Sequence, residues 1–191
     1  MKQKKKSTKK RMALLFAALG LFVLVALLSA MGYRAMLKIE HPIQYEKIVN
    51  AYAEEYGVET WLIYAVIKTE SSFHPEAESA AGAQGLMQIT PDTFDWLRMK
   101  LREETPESAI FEPDTAIRYG TYFLKLLLDE FQDPRVALAA YHAGRGRVNG
   151  WLADESVSPD GKTLPEIPSR DTAHYVNKVM KAWAVYQNLY G

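Results

Sequence analysis

Residues 61–70 read Trp61-Leu62-Ile63-Tyr64-Ala65-Val66-Ile67-Lys68-Thr69-Glu70: seven apolar side chains in succession, closed by a lysine, a threonine and a carboxylate. At helical spacing Glu70 shares a face with Ile67, Val66 and Ile63, at i−3, i−4 and i−7. That face should be buried, so this segment reads as the central helix of its domain, with an acid at its end. A carboxylate there loses solvation and meets the negative end of the helix dipole. Both effects disfavour its ionised form and raise its pKa, so it could release a proton near neutral pH. The same position also suits a helix-end glutamate turned to water.

On either side of this segment the pattern stays helical. Ile43, Ile48, Val49, Tyr52, Ala53 and Tyr56 recur at helical spacing and predict a first helix over 43–56, stopped by Gly57. The apolar segment makes a second over 59–70. A third opens at Thr90-Pro91-Asp92, where a capping hydroxyl, a first-turn proline and a first-turn acid follow in order. Pro113 and Asp133-Pro134 repeat the device and predict helices over Pro113–Phe131 and Pro134–Ala143, the latter stopped by Gly144. A last helix is expected over 171–190. No long alternating strand pattern competes, so the fold class is all-α. Residues 151–168, with Pro159-Asp160-Gly161 and three prolines, read as a surface loop or small hairpin.

The chain of 191 residues suits one globular domain plus an appendage. Its 48% hydrophobic and 24% charged content is that of a folding chain. A formal charge of zero hides an asymmetry, because residues 1–11 hold seven of the 23 basic groups and no acid. The remainder carries 16 basic against 23 acidic side chains, which argues against a nucleic-acid partner. Residues 12–32 follow with no charge in 21 positions, long enough to cross a ~30 Å hydrocarbon layer. The cations before it predict a cytoplasmic N-terminus and an exported remainder. The expected organisation is a basic cytoplasmic tail at 1–11, a single-pass transmembrane anchor at 12–32, a tether at 33–41 and an extracytoplasmic domain at 42–191. A cleaved signal peptide is the rival, with Leu28-Ser29-Ala30 as its weak cleavage match. With no cysteine, disulfides and lipoprotein attachment are excluded.

Several chemistries lack their residues. The histidines at 41, 74, 142 and 174 have no metal-ligand spacing, and no nucleophile elbow or phosphate loop occurs. Gly144, Gly146 and Gly150 miss the dinucleotide pattern, so no metal or cofactor is expected. Carboxylates remain, and Glu70 is the one oddly placed. Glu76, Glu78, Asp92 and Asp95 follow it in a polar loop and at a helix N-terminus, where solvation and capping account for them.

Four ordered motifs then carry a resemblance: Glu70-Ser71, Gly85-Leu86-Met87-Gln88, Ala140-Tyr141-His142-Ala143-Gly144 and Asp171-Thr172-Ala173-His174-Tyr175-Val176. Over residues 42–190 the chain resembles the lytic transglycosylases of the lysozyme-like superfamily. The resemblance implies a lysozyme-like helical domain with a sugar-binding groove, acting on the glycan strands of bacterial peptidoglycan. It implies Glu70 as the catalytic acid and then base, and Ser71, Met87, Gln88, Tyr141, His142 and Tyr175 as substrate-binding residues. Of these, Tyr175 would hold the Glu70 carboxyl in register, while Met87 and Tyr141 also read as core residues. His142 stands where the family has asparagine, and Asp171 where it has glutamate. An imidazole cannot offer an amide's donor and acceptor together.

Overall fold

The computed structural model describes residues 2–191, with side chains from residue 19 onward together with Met12, Leu15 and Phe16. It divides into two units, residues 1–42 and 43–191. The first is a single helix, α1 (Lys2–Glu40). Residues 33–40, expected as a tether, therefore continue the helix. The stretch Leu19–Glu40 is long and apolar enough to cross a membrane. The basic side chains of the 1–11 segment lie outside the described residues.

The second unit is helical: α2 (Glu46–Tyr56), α3 (Thr60–Glu70), α4 (Pro91–Leu101), a 3-10 turn (Glu107–Phe111), α5 (Pro113–Phe131), α6 (Pro134–Ala143), α7 (Arg145–Leu152) and α8 (Arg170–Tyr190). Among the described residues, β-pairing is limited to isolated bridges of Gln84 with Glu78 and Ile89. The all-α expectation holds, and the proline-led starts fall where the sequence placed them. Thr90 Oγ1 accepts from Thr93 N, and Asp133 accepts from the amides of Arg135 and Val136. Each cap satisfies helix-end donors that would otherwise be orphaned.

Three local readings change. The first helix begins at Glu46 and not Ile43, because Tyr45 adopts a left-handed conformation (φ 56°) and turns the chain just before it. Helix α7 runs through Gly146 and Gly150, residues that weaken a helix. It is held by fully buried Val148 and by Glu130 at the end of α5, which accepts from Arg145 Nε at 2.6 Å and Asn149 Nδ2 at 3.2 Å. Beyond it, residues 153–169 form turns and no hairpin. There the Asp154 and Asp160 carboxylates accept the amides of Ser156, Lys162 and Thr163, replacing the partners a strand ladder would supply.

Helix α3 is the centre of the unit. Leu62 through Ile67 are at most 2% exposed, and α8 packs along this helix more extensively than any other pair of elements. The α3–α8 seam brings the end of the apolar segment against the first turns of the last helix. The site lies there.

Candidate active site

Glu70 is the last residue of α3, and from there the chain leaves the helix in a strained turn. Ser72 and Phe73 both adopt left-handed conformations (φ 50° and 66°), uncommon for residues with a Cβ. The turn is held by Ser71, whose buried hydroxyl donates to the Leu86 carbonyl at 2.8 Å and accepts from the Phe73 amide at 3.1 Å. Ser71 thus ties the end of α3 to the Gly85–Gln88 turn.

That turn is itself tightly folded. Gly85 has φ +74°, and a Cβ there would lie 2.4 Å from the Ile110 carbonyl oxygen, so both conformation and space require glycine. Gln88 is left-handed as well (φ 49°). Its amide nitrogen donates to the carbonyls of Ala77 and Gly85, both at 3.0 Å, so the side chain braces the turn. Met87 departs from the groove-lining expectation. Its side chain is fully buried against Gly120 of α5, where a Cβ would come within 2.3 Å of the sulfur. Met87 meets the site through its carbonyl, which accepts from the Tyr141 hydroxyl at 2.8 Å. Tyr141 is buried and tilts against Phe123 at 5.0 Å between centroids, so much of its ring is core.

The Glu70 carboxyl is half-buried and accepts a 2.7 Å hydrogen bond from the Tyr175 hydroxyl. Burial pushes its pKa up to about 7, opposed by the Tyr175 hydrogen bond and the Lys178 ammonium. No other carboxylate contributes to that shift. Conversely, burial and then the Glu70 charge hold the Tyr141 and Tyr175 phenols well above their ordinary value, so both stay protonated donors. His142 is exposed on one side, while its ring lies stacked on Tyr175 at 4.5 Å between centroids and 29° between planes. Its Nδ1 is 3.3 Å from the Thr172 hydroxyl. Burial lowers the imidazole pKa and favours the neutral ring, while the Asp171 charge opposes this shift. Glu76, Glu78, Asp92 and Asp95 are all exposed, and Asp95 pairs with Arg98.

Beside the Glu70–Tyr175 pair opens a hollow of about 590 Å³, between Thr69, His142 and the first turns of α8 at Arg170, Asp171, His174 and Lys178. A larger hollow of about 790 Å³, around Trp96, Met99 and Glu104, shares none of these residues. Among the described residues, no group of three His, Cys, Asp or Glu side chains is placed to hold a metal. The sequence brought Glu70, Tyr141, His142 and Tyr175 into one candidate site, and the fold does assemble them. It did not single out Lys178, whose only signal was a place one helical turn after Tyr175. The carboxyl can therefore exchange a proton near neutral pH, held by the Tyr175 phenol, while the Tyr141 phenol donates to the Met87 carbonyl.

Residues 47–162 match the family model described as the Transglycosylase SLT domain. The chain belongs to this family. As an SLT-family member it is 33% identical over 169 residues to membrane-bound lytic murein transglycosylase C of Haemophilus ducreyi, covering 76% of this chain and 46% of that protein. It is 31% identical over 159 residues to the soluble lytic murein transglycosylase of Salmonella typhimurium, covering 81% of this chain and 25% of that protein. The lysozyme-like fold is shared with the crystal structure of an inactive glutamate-to-glutamine mutant of the lytic transglycosylase Slt from Pseudomonas aeruginosa. The TM-score is 0.69 at 31% identity, over 80% of this chain and 25% of that one. The SLT-family chain thus spans between a quarter and a half of the length of these relatives.

Proposed function

We propose that this protein cleaves the bond between N-acetylmuramic acid and N-acetylglucosamine in peptidoglycan strands without water, leaving 1,6-anhydro-muramic acid ends. The observation that carries the reading is Glu70: a carboxyl raised to about 7 and hydrogen-bonded by Tyr175, with no second carboxylate acting on it. Ordinary glycosidases set two carboxylates across the bond, one as acid and one as base or nucleophile. With one carboxyl, the nucleophile comes from the substrate, and the muramic acid C6 hydroxyl has the proximity advantage over water. Glu70 protonates the departing glycosidic oxygen, then takes the proton of that hydroxyl as the 1,6 ring closes. Tyr175 positions the carboxyl through both steps. The solved relative inactivated by a glutamate-to-glutamine change supports a glutamate-dependent reaction.

Helix α1 is proposed as a single-pass anchor that keeps residues 42–191 on the extracytoplasmic face of a bacterial membrane. A membrane-bound relative and the apolar span support this reading. The test is to incubate the full-length protein with purified peptidoglycan and identify the products by mass. Wild type should give 1,6-anhydro ends, and Glu70→Gln, which keeps shape but cannot shuttle a proton, should lose about 10²–10⁴-fold in rate. Reducing ends instead, with one of Glu76, Glu78, Asp92 or Asp95 equally indispensable, would make the protein a two-carboxylate hydrolase.

A further inference from the structure

The first turns of α8 carry Arg170, His174 and Lys178 at i, i+4 and i+8, so the three side chains form a row along one helix face. All three are exposed, all line the hollow beside the Glu70–Tyr175 pair, and none is ion-paired with another described residue. The row stands out against its surroundings, because residues 43–191 hold 14 basic against 22 acidic side chains. Asp171 is the one acid that shares the hollow. An acidic domain repels an acidic polymer unless cations are gathered where the two must meet.

From this row we infer a site for the acidic peptide stems that peptidoglycan carries on its muramic acid residues, the Arg170, His174 and Lys178 side chains taking the stem carboxylates as the glycan lies across Glu70. The inference rests on the reading of the substrate given above. Eight helical residues rise about 12 Å, the length of three to four residues of extended peptide, so one stem matches the row from end to end. Arg170 offers a planar fork for a carboxylate, Lys178 a point charge, and His174 a ring donor between them. The site would favour peptide-bearing strands over strands stripped of their stems.

The test compares the full-length protein on peptide-bearing peptidoglycan and on the same strands after an amidase has removed the stems. The quantity read is the ratio of kcat/KM on the two. Arg170→Glu places an acid at the first residue of α8, where the helix dipole favours it, so the fold should melt no lower than wild type. The ratio should fall roughly 10-fold or more, and Arg170→Lys should retain most of it. A ratio unmoved by Arg170→Glu, or equal losses on both substrates, would overturn the site. If wild type cleaves neither substrate, the proposed reaction fails, and the peptide site is judged by cosedimentation of Glu70→Gln protein with the two strand types. There too Arg170→Glu must weaken binding to peptide-bearing strands selectively, or the inference is wrong.

Discussion

Tyr175, 105 residues downstream of Glu70, donates its phenolic hydrogen bond to the Glu70 carboxylate at 2.7 Å and stacks on His142 with its other surface. One side chain thus links the acid at the end of α3, the motif at the end of α6 and the hollow beside α8. Tyr175→Phe keeps the ring and removes the hydrogen bond. Because that bond favours the ionised carboxylate, its loss should raise the Glu70 pKa further. The pH–rate profile should shift to higher pH, while kcat falls roughly 10–100-fold as the carboxyl loses its register. A variant with lowered melting temperature but an unmoved profile would show that Tyr175 serves packing alone.

Glu70 also makes a stability prediction. Its carboxyl is raised from 4.5 to about 7, so the folded state holds this proton more tightly than the unfolded state. Stability associated with Glu70 is therefore full below about pH 4.5 and is lost as pH rises towards 7. Glu70→Gln removes the penalty. At neutral pH the variant should be more stable than wild type by up to about 3 kcal/mol, and the gain should vanish in acid. Chemical denaturation at pH 4 and pH 7.5 measures both. In the same window kcat/KM of wild type should decline as pH rises through about 7, since the first step needs the protonated acid.

His142→Asn restores the family's residue at that position but gives up the ring stacked on Tyr175. The expected cost is about 0.5–1.5 kcal/mol of stability, below that of a core truncation. Turnover should hold, because Tyr175 is buried on its remaining sides and keeps its bond to Glu70. Kinetics matching those of Tyr175→Phe would instead make the imidazole the brace that positions the phenol.

Gly120→Ala drives a methyl into Met87, whose sulfur and Cβ lie 2.3 and 2.6 Å from that position. The loss should be about 1–3 kcal/mol, as in other overpacked cores. Combining it with Met87→Ala should cost less than the two losses summed, since alanine removes the sulfur at 2.3 Å, but the relief should be partial because the Cβ at 2.6 Å stays. Strict additivity would mean that the two residues do not share that space.

The parts of the fold legible in the sequence were those with a local cause. Thr90-Pro91 and Asp133-Pro134 carry their own caps, and the periodicity of residues 61–70 marks a buried face whatever packs on it. Helix α7 was hidden because Gly146 and Gly150 argue against it locally, while the burial of Val148 and the clasp of Glu130 that hold it are tertiary. The same divide runs through the site. Glu70 was visible from its own helix. The burial of Met87 depends on a glycine in another helix, and the relation of Lys178 to Glu70 exists only once α8 lies along α3.

The long separation between Glu70 and Tyr175 has a consequence in time. Closing so long a loop is entropically costly and tends to come late in folding. Until the last twenty or so residues dock, the carboxyl at residue 70 lacks the Tyr175 hydrogen bond that holds it in register and the cover that α8 gives its helix. A chain emerging N-terminus first would thus pass through synthesis in a latent form. The final helix arms it, by bringing up the phenol that orients its carboxyl.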